Sequence, residues 1–157
     1  MGRAKDRFRG RIAEGRARAA ADESQDGVGS ARVAVLCPQT YYNDAGRSVG
    51  PARGTFKLPL ARVLVVHDEI DLPFGEVRAR VGGGLAGNNG LKSIKRELGG
   101  ADFARVRVGV GRPDSTDSEI VAAYVLGGFR EDAQQVRELV QRVCDQVERM
   151  VLEQDEP

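Results

Sequence analysis

The chain has 157 residues, with 24 Lys+Arg against 23 Asp+Glu, 41% apolar and 5% aromatic side chains, and 20 glycines. That length suits one globular domain over 1–157 with a sizeable core. A net charge of +1 excludes a uniformly basic nucleic-acid binder, the apolar content excludes wholesale disorder, and no apolar run reaches the roughly 18 residues of a membrane-spanning helix.

The amino end, MGRAKDRFRG, is basic with no apolar stretch behind it, so no secretory signal is read and the cytoplasm is expected. Residues 1–18 concentrate arginines, whereas the chain ends on Glu153, Asp155 and Glu156, so one end is basic and the other acidic. The basic end could contact phosphates or simply be a solvated arm. Phe8, Gly10 and Ile12 alternate with Arg7, Arg9 and Arg11, which predicts an edge strand with one wet face. Residues 15–31 have no sustained period and read as a long connection. RVAVLC at 32–37, closed by Pro38, predicts a buried strand; the segment 39–54 is turn-rich; RVLVVHDE at 62–69 predicts a second buried strand.

Further on, Val77, Ala79 and Val81 alternate with Arg78 and Arg80, and Val106, Val108 and Val110 with Arg105 and Arg107. Both patterns predict strands with valines on a core and arginines outward. Between them Leu91, Ile94 and Leu98 mark a short amphipathic helix, and Val136, Leu139, Val140, Val143, Val147 and Val151 trace one face of a long final helix starting near Glu131. Helices alternating with β-branched runs predict an α/β, three-layer domain.

Cys37 and Cys144 lack metal-ligand spacing and are expected to be buried thiols, and one histidine leaves no basis for a His-rich metal site. No metal is expected. His67 and Asp68 end a predicted strand, where open α/β sheets place their sites. Adjacent strand residues point to opposite faces, so the pair cannot share one pocket. Asp68 is the better candidate for an orienting carboxylate, and His67 reads as a satisfied core histidine. The glycine-rich run 82–90 lacks the Gly-Lys-Ser/Thr ending of a P-loop and fails as a dinucleotide fingerprint, which leaves a nucleotide-dependent enzyme little room. It instead delivers Asn88 and Asn89 to a helix start, where free amides can hold an anion or oxyanion. Asn43 lies on a turn after a strand; an asparagine can hold a carbonyl or a water without ionising, though each alone is also a common turn residue or cap. If the strands around Arg78, Arg80, Arg105 and Arg107 pair antiparallel, four guanidinium groups line one surface suited to a sugar-phosphate backbone or equally to solvent.

PQTYYNDAG at 38–46, VLVVHDEIDLPFGEVRARVGGGLAGNNGLKSIKREL at 63–98, FARVRVGVGRP at 103–113 and YVLG at 124–127 resemble, in order and spacing, the bacterial-type peptidyl-tRNA hydrolases. The resemblance runs from about Val33 to the end. It implies a mixed, twisted sheet with helices on both faces. It also implies hydrolysis of the ester joining a peptide to tRNA, with no cofactor, tRNA as partner, and a monomer. Asn43 resembles the asparagine that positions the peptide, Asp68 the aspartate that orients the catalytic histidine, and Asn89 the asparagine that holds the water or the peptide carbonyl. Tyr42 and Asn88 fall on the substrate-binding rim, where the family usually has Met and His; Arg78, Arg80 and Arg107 fall near its tRNA-phosphate contacts. That family opens with a strand, a Gly-Asn-Pro-Gly loop and a helix supplying the catalytic histidine. No residue here aligns with these, so the first strand and helix are expected to be missing. Loss of such a base typically costs about 10² to 10⁴-fold, so the resemblance leaves two expectations, an ester hydrolase or a catalytically impaired RNA- or partner-binding relative.

Overall fold

The computed structural model describes residues 1–18, 30–85 and 87–153. These residues fall into two compact units: the first comprises 1–63, 81–104 and the end from 148, the second 64–80 and 105–147.

In the first unit β1 (Lys5–Arg7), β2 (Gly10–Arg18) and β3 (Ser30–Pro38) form an antiparallel sheet in that order. Arg7 pairs with Gly10, and the two residues between them, Phe8 and Arg9, both have positive φ, 57° and 52°. Two such residues make the tight turn that matches strand twist. The expected edge strand therefore breaks at Phe8, and strand structure continues to Arg18, into the predicted connection. The middle of that connection lies outside the described residues, as do Asp155 and Glu156. β3 does not have the burial predicted for it: as an edge strand it leaves Val35 56% exposed, and Cys37 is exposed with it.

The turn-rich segment contains a short 3-10 turn at Tyr42–Asp44 followed by α1 (Gly46–Phe56). With three glycines and an internal Pro51, α1 has poor intrinsic propensity. Tertiary contacts override it. Gly46 N–H donates to Ser93 Oγ at 3.1 Å, and Arg53 Nη1 donates to Leu98 O at 3.0 Å. Both acceptors lie on α2 (Asn89–Leu98), whose Leu91, Ile94 and Leu98 are buried as the spacing predicts. A Cβ at position 46 would run into the Ser93 carbonyl, so only glycine permits so close a helix crossing.

The second unit is built on a sheet of order β4-β6-β5, with β4 (Leu64–Glu69), β5 (Val77–Val81) and β6 (Ala104–Gly109). Ala104 N–H to Val63 O and Val110 N–H to Glu69 O keep one offset between β4 and β6, which makes them parallel. Gly82 N–H to Phe103 O and Gly109 N–H to Glu76 O run antiparallel between β5 and β6. The sheet is mixed, as expected. Its two outer strands are half wet: Val66 on β4 is 47% and Val81 on β5 69% exposed, while Val106 on the central β6 is fully buried. Arg105, predicted to face outward, is buried beside it. A central strand buries both faces, which the alternation alone could not reveal.

Two helices complete the chain. α3 (Ser118–Leu126), which the sequence reading does not predict, is capped by Asp117 Oδ1 accepting from Glu119 N at 2.8 Å and Ile120 N at 3.3 Å. α4 (Ala133–Glu153) is the expected final helix; Asp132 Oδ1 caps it and Leu139 is its buried residue. Cys144 is exposed rather than buried: it stands at the edge of the apolar stripe, one turn after Val140, which is itself 55% exposed.

Candidate active site and RNA-contact surfaces

The first unit gathers four of the predicted residues around the start of α2. Asn88 is the N-cap: its Oδ1 accepts from Leu91 N–H at 2.8 Å, satisfying one of the orphan donors of the first turn. Its acceptor is thereby committed to the helix. Asn89, the next residue, is exposed, and its Oδ1 accepts from Lys92 Nζ at 3.4 Å. The 3-10 turn carrying Tyr42 and Asn43 packs against α2. The approach there is close, since a Cβ on Gly90 would lie 3.0 Å from the Tyr42 ring and 3.2 Å from its carbonyl. Tyr42 thus forms a wall beside the Asn88–Gly90 start, with Asn43 exposed on the same short turn.

The glycine run bends as a side-chain-poor segment must. Gly82, Gly83 and Gly87 have positive φ. Such backbone is open chiefly to glycine.

The second unit holds Asp68 and the arginines. Asp68 is half-buried on β4, and its carbonyl accepts from His67 Nδ1 at 2.7 Å. A carbonyl only accepts, so Nδ1 carries the proton and Nε2 is the bare nitrogen; that atom is buried without a partner. Burial pushes the His67 imidazole below 6.5, against the raising influence of the Asp68 carbonyl bond and of the Glu69 and Asp68 charges. The expected satisfied histidine is satisfied on one side only.

The register between β5 and β6 sets Arg78 opposite Arg107 and Arg80 opposite Arg105. Like charges facing across strands repel, and two carboxylates relieve them. Glu69, buried, accepts from Arg107 Nε and Nη2 at 3.1 and 3.0 Å while its other oxygen takes Asp71 N–H at 3.2 Å. Glu76 accepts from Arg78 at 2.7 and 3.0 Å. Arg107 is therefore turned to Glu69 rather than to solvent, and Arg80, exposed, has no ion pair among the described residues. Burial and the neighbouring Arg80 and Arg107 charges lower the Arg105 pKa. Sequence reasoning misses Glu69, whose burial depends on the partner 38 positions away. Among the described residues no group of three His, Cys, Asp or Glu side chains converges as a metal site.

The family model for peptidyl-tRNA hydrolase matches residues 3–156. The chain belongs to the peptidyl-tRNA hydrolase family. A peptidyl-tRNA hydrolase of Geobacter sulfurreducens is 52% identical over 101 residues, 64% of this chain and 51% of that protein. Another from a Mycobacterium species (strain KMS) is 38% identical over 156 residues, 97% of this chain and 80% of that protein. The crystal structure of peptidyl-tRNA hydrolase from Acinetobacter baumannii superposes with a TM-score of 0.75 at 28% identity, covering 96% of this chain and 71% of that one. This peptidyl-tRNA hydrolase family member spans about half the length of two of the curated relatives it matches, 51% of one and 43% of the other. No helix among its described residues is long and apolar enough to cross a membrane.

Proposed function

We propose that this chain acts on peptidyl-tRNA, cleaving the ester between the peptide carbonyl and the terminal ribose hydroxyl. Water attacks the carbonyl carbon, the tetrahedral intermediate collapses, and the ribose oxygen leaves with a proton as the free hydroxyl of tRNA. In this reading Asn89 holds the water or the carbonyl oxygen through its side-chain amide, Asn43 positions the peptide, and Asp68 orients the attacking water. The proton of that water passes to bulk solvent, because no residue of this chain aligns with the family's catalytic histidine; full activity requires that histidine. Asn88 and Tyr42 shape the rim, and Arg78, Arg80 and Arg107 form the basic surface that follows tRNA phosphates. Arg80 is the most available of the three; Arg107 is engaged by Glu69. The whole chain works in the cytoplasm as a single domain and a monomer, without cofactor or metal.

The observation that carries this reading is the exposed Asn89 at the first position of a helix whose N-cap is Asn88, with the Asn43 turn packed against that helix, in a chain of this family. Backbone donors of a helix start and a side-chain amide are what a developing oxyanion requires. The test is release of free tRNA from an N-blocked aminoacyl-tRNA by the 157-residue chain. Turnover is expected to fall at least about 10²-fold in Asn89→Ala, the usual loss of an oxyanion-stabilising donor, and to fall in Asp68→Ala. Unchanged turnover in both variants would overturn the assigned roles.

A further inference from the structure

The second half of α2 carries a feature that the proposed active-site roles do not use. A cavity of about 560 Å³ is lined by Leu85, Gly87, Lys92, Lys95, Arg96, Gly99 and Gly100, three cations and no carboxylate. Lys92, Lys95 and Arg96 stand at i, i+3 and i+4, so they share one face of the helix. Arg96 touches Glu97 only at 3.5 Å, across an exposed pair, and Lys95 has no ion pair among the described residues. The walls at either end are bare backbone. Beside Gly87 and Gly99, no atom lies within 4 Å of where a Cβ would stand.

Lys95 and Arg96, in the last turn, suit the negative end of the helix. That accounts for neither Lys92, in the middle of the helix, nor the concavity. Lys92 instead ties the row to the candidate site through its bond to Asn89 Oδ1. At 1.5 Å rise per residue the three cations lie about 4.5 to 10.5 Å beyond Asn89 along the axis. A positive groove that begins at a site and is walled by glycine tracks a nucleic-acid strand, because the backbone can approach closely and each phosphate meets a charge.

We propose that this cavity binds phosphates of single-stranded RNA, so that Lys92, Lys95 and Arg96 guide the strand leading to the ester held at Asn89. Identifying that strand as the acylated end of tRNA rests on the function proposed above; the phosphate site itself does not.

The test measures binding of a labelled single-stranded RNA octamer to the full chain over a series of salt concentrations, for wild type, for Lys95→Gln with Arg96→Gln, and for the charge-conserving Lys95→Arg with Arg96→Lys. Each phosphate that is no longer neutralised should make the slope of log K against log salt shallower by about 0.7. The glutamine pair is expected to show that change and weaker binding, with the helical circular dichroism retained, and the charge-conserving pair to bind as wild type. The proposal is overturned if the octamer does not bind, if the glutamine pair keeps the wild-type slope, if inorganic phosphate displaces the octamer as well as unlabelled octamer does, or if duplex RNA of equal length competes better. Hydrolysis separates the two claims. An octamer site that responds to the glutamine pair in a chain that never cleaves N-blocked aminoacyl-tRNA removes the proposed function and keeps the site. Cleavage lost in Asp68→Ala, with the glutamine pair unchanged in slope and KM, removes the site and keeps the function.

Discussion

Two side chains close together on β4 illustrate how differently a single strand end can use its residues. Glu69 spends both oxygens, one on Arg107 and one on the Asp71 amide, so a buried carboxylate is compensated on each oxygen and fastens β4 to β6. His67 spends one nitrogen on the Asp68 carbonyl and leaves Nε2 buried and bare. With its folded-state pKa pushed below 6.5, His67 stays neutral where its unfolded counterpart begins to take up a proton. The unfolded chain then binds more protons, so the stability this group contributes is intact above 6.5 and is lost as pH falls from there through the folded value. His67→Asn keeps a donor near the Nδ1 position but does not titrate. The midpoint of thermal unfolding, followed from about pH 7.5 to 5 across the ordinary histidine range, should therefore fall less steeply in that variant than in wild type; parallel curves would contradict the burial of a neutral imidazole.

Helices in this chain are decided at their ends and crossings. Asn88 closes the first turn of α2, and replacing it with alanine should cost about 1 kcal/mol, typical of a missing N-cap. Asn88→Ser should recover most of that in denaturant titration, and equal losses in both variants would show that the cap bond does not matter. Two glycines near opposite ends of α1 separate packing from propensity. Gly46→Ala forces a methyl onto the Ser93 carbonyl and should destabilise by about 1 to 3 kcal/mol. At Gly54 nothing lies within 4 Å of where a methyl would stand, so Gly54→Ala should stabilise by about 0.4 to 1 kcal/mol. Opposite signs are expected in one urea experiment. The same contrast explains why the sequence over α1 reads as turns: three glycines and Pro51 say nothing for a helix, and the partner that holds it is Ser93, 47 positions away. By contrast α2 and α4 are legible, because their apolar spacing reflects the burial of one face, and α3 carries a readable Asp117 cap that the apolar run behind it obscures.

At the scale of the molecule, the near-balanced charge of +1 coexists with local excess of arginine on β5 and β6 and of lysine and arginine on α2. On the proposed function, binding to tRNA should accordingly depend on salt through a few phosphates rather than through bulk charge. Arg80→Ala should make the slope of log K against log salt shallower by about 0.9 on the duplex part, and Arg107→Ala by less, since its charge is already answered by Glu69. Equal effects would mean that Arg107 leaves Glu69 when RNA arrives. Periodicity and local chemistry are enough to determine the strands near Val77 and Val106, the stripe of α2, the long final helix and the candidate asparagines at a helix start, because each depends on residues a few positions apart. Only the tertiary structure decides which strands lie at sheet edges, so that Val35 and Val66 are wet and Arg105 is buried, that a glycine-rich segment becomes α1, and that Arg107 faces Glu69. Burial and charge pairing are properties of neighbours far away along the chain, and a one-dimensional pattern records a residue's character without recording what comes to lie beside it.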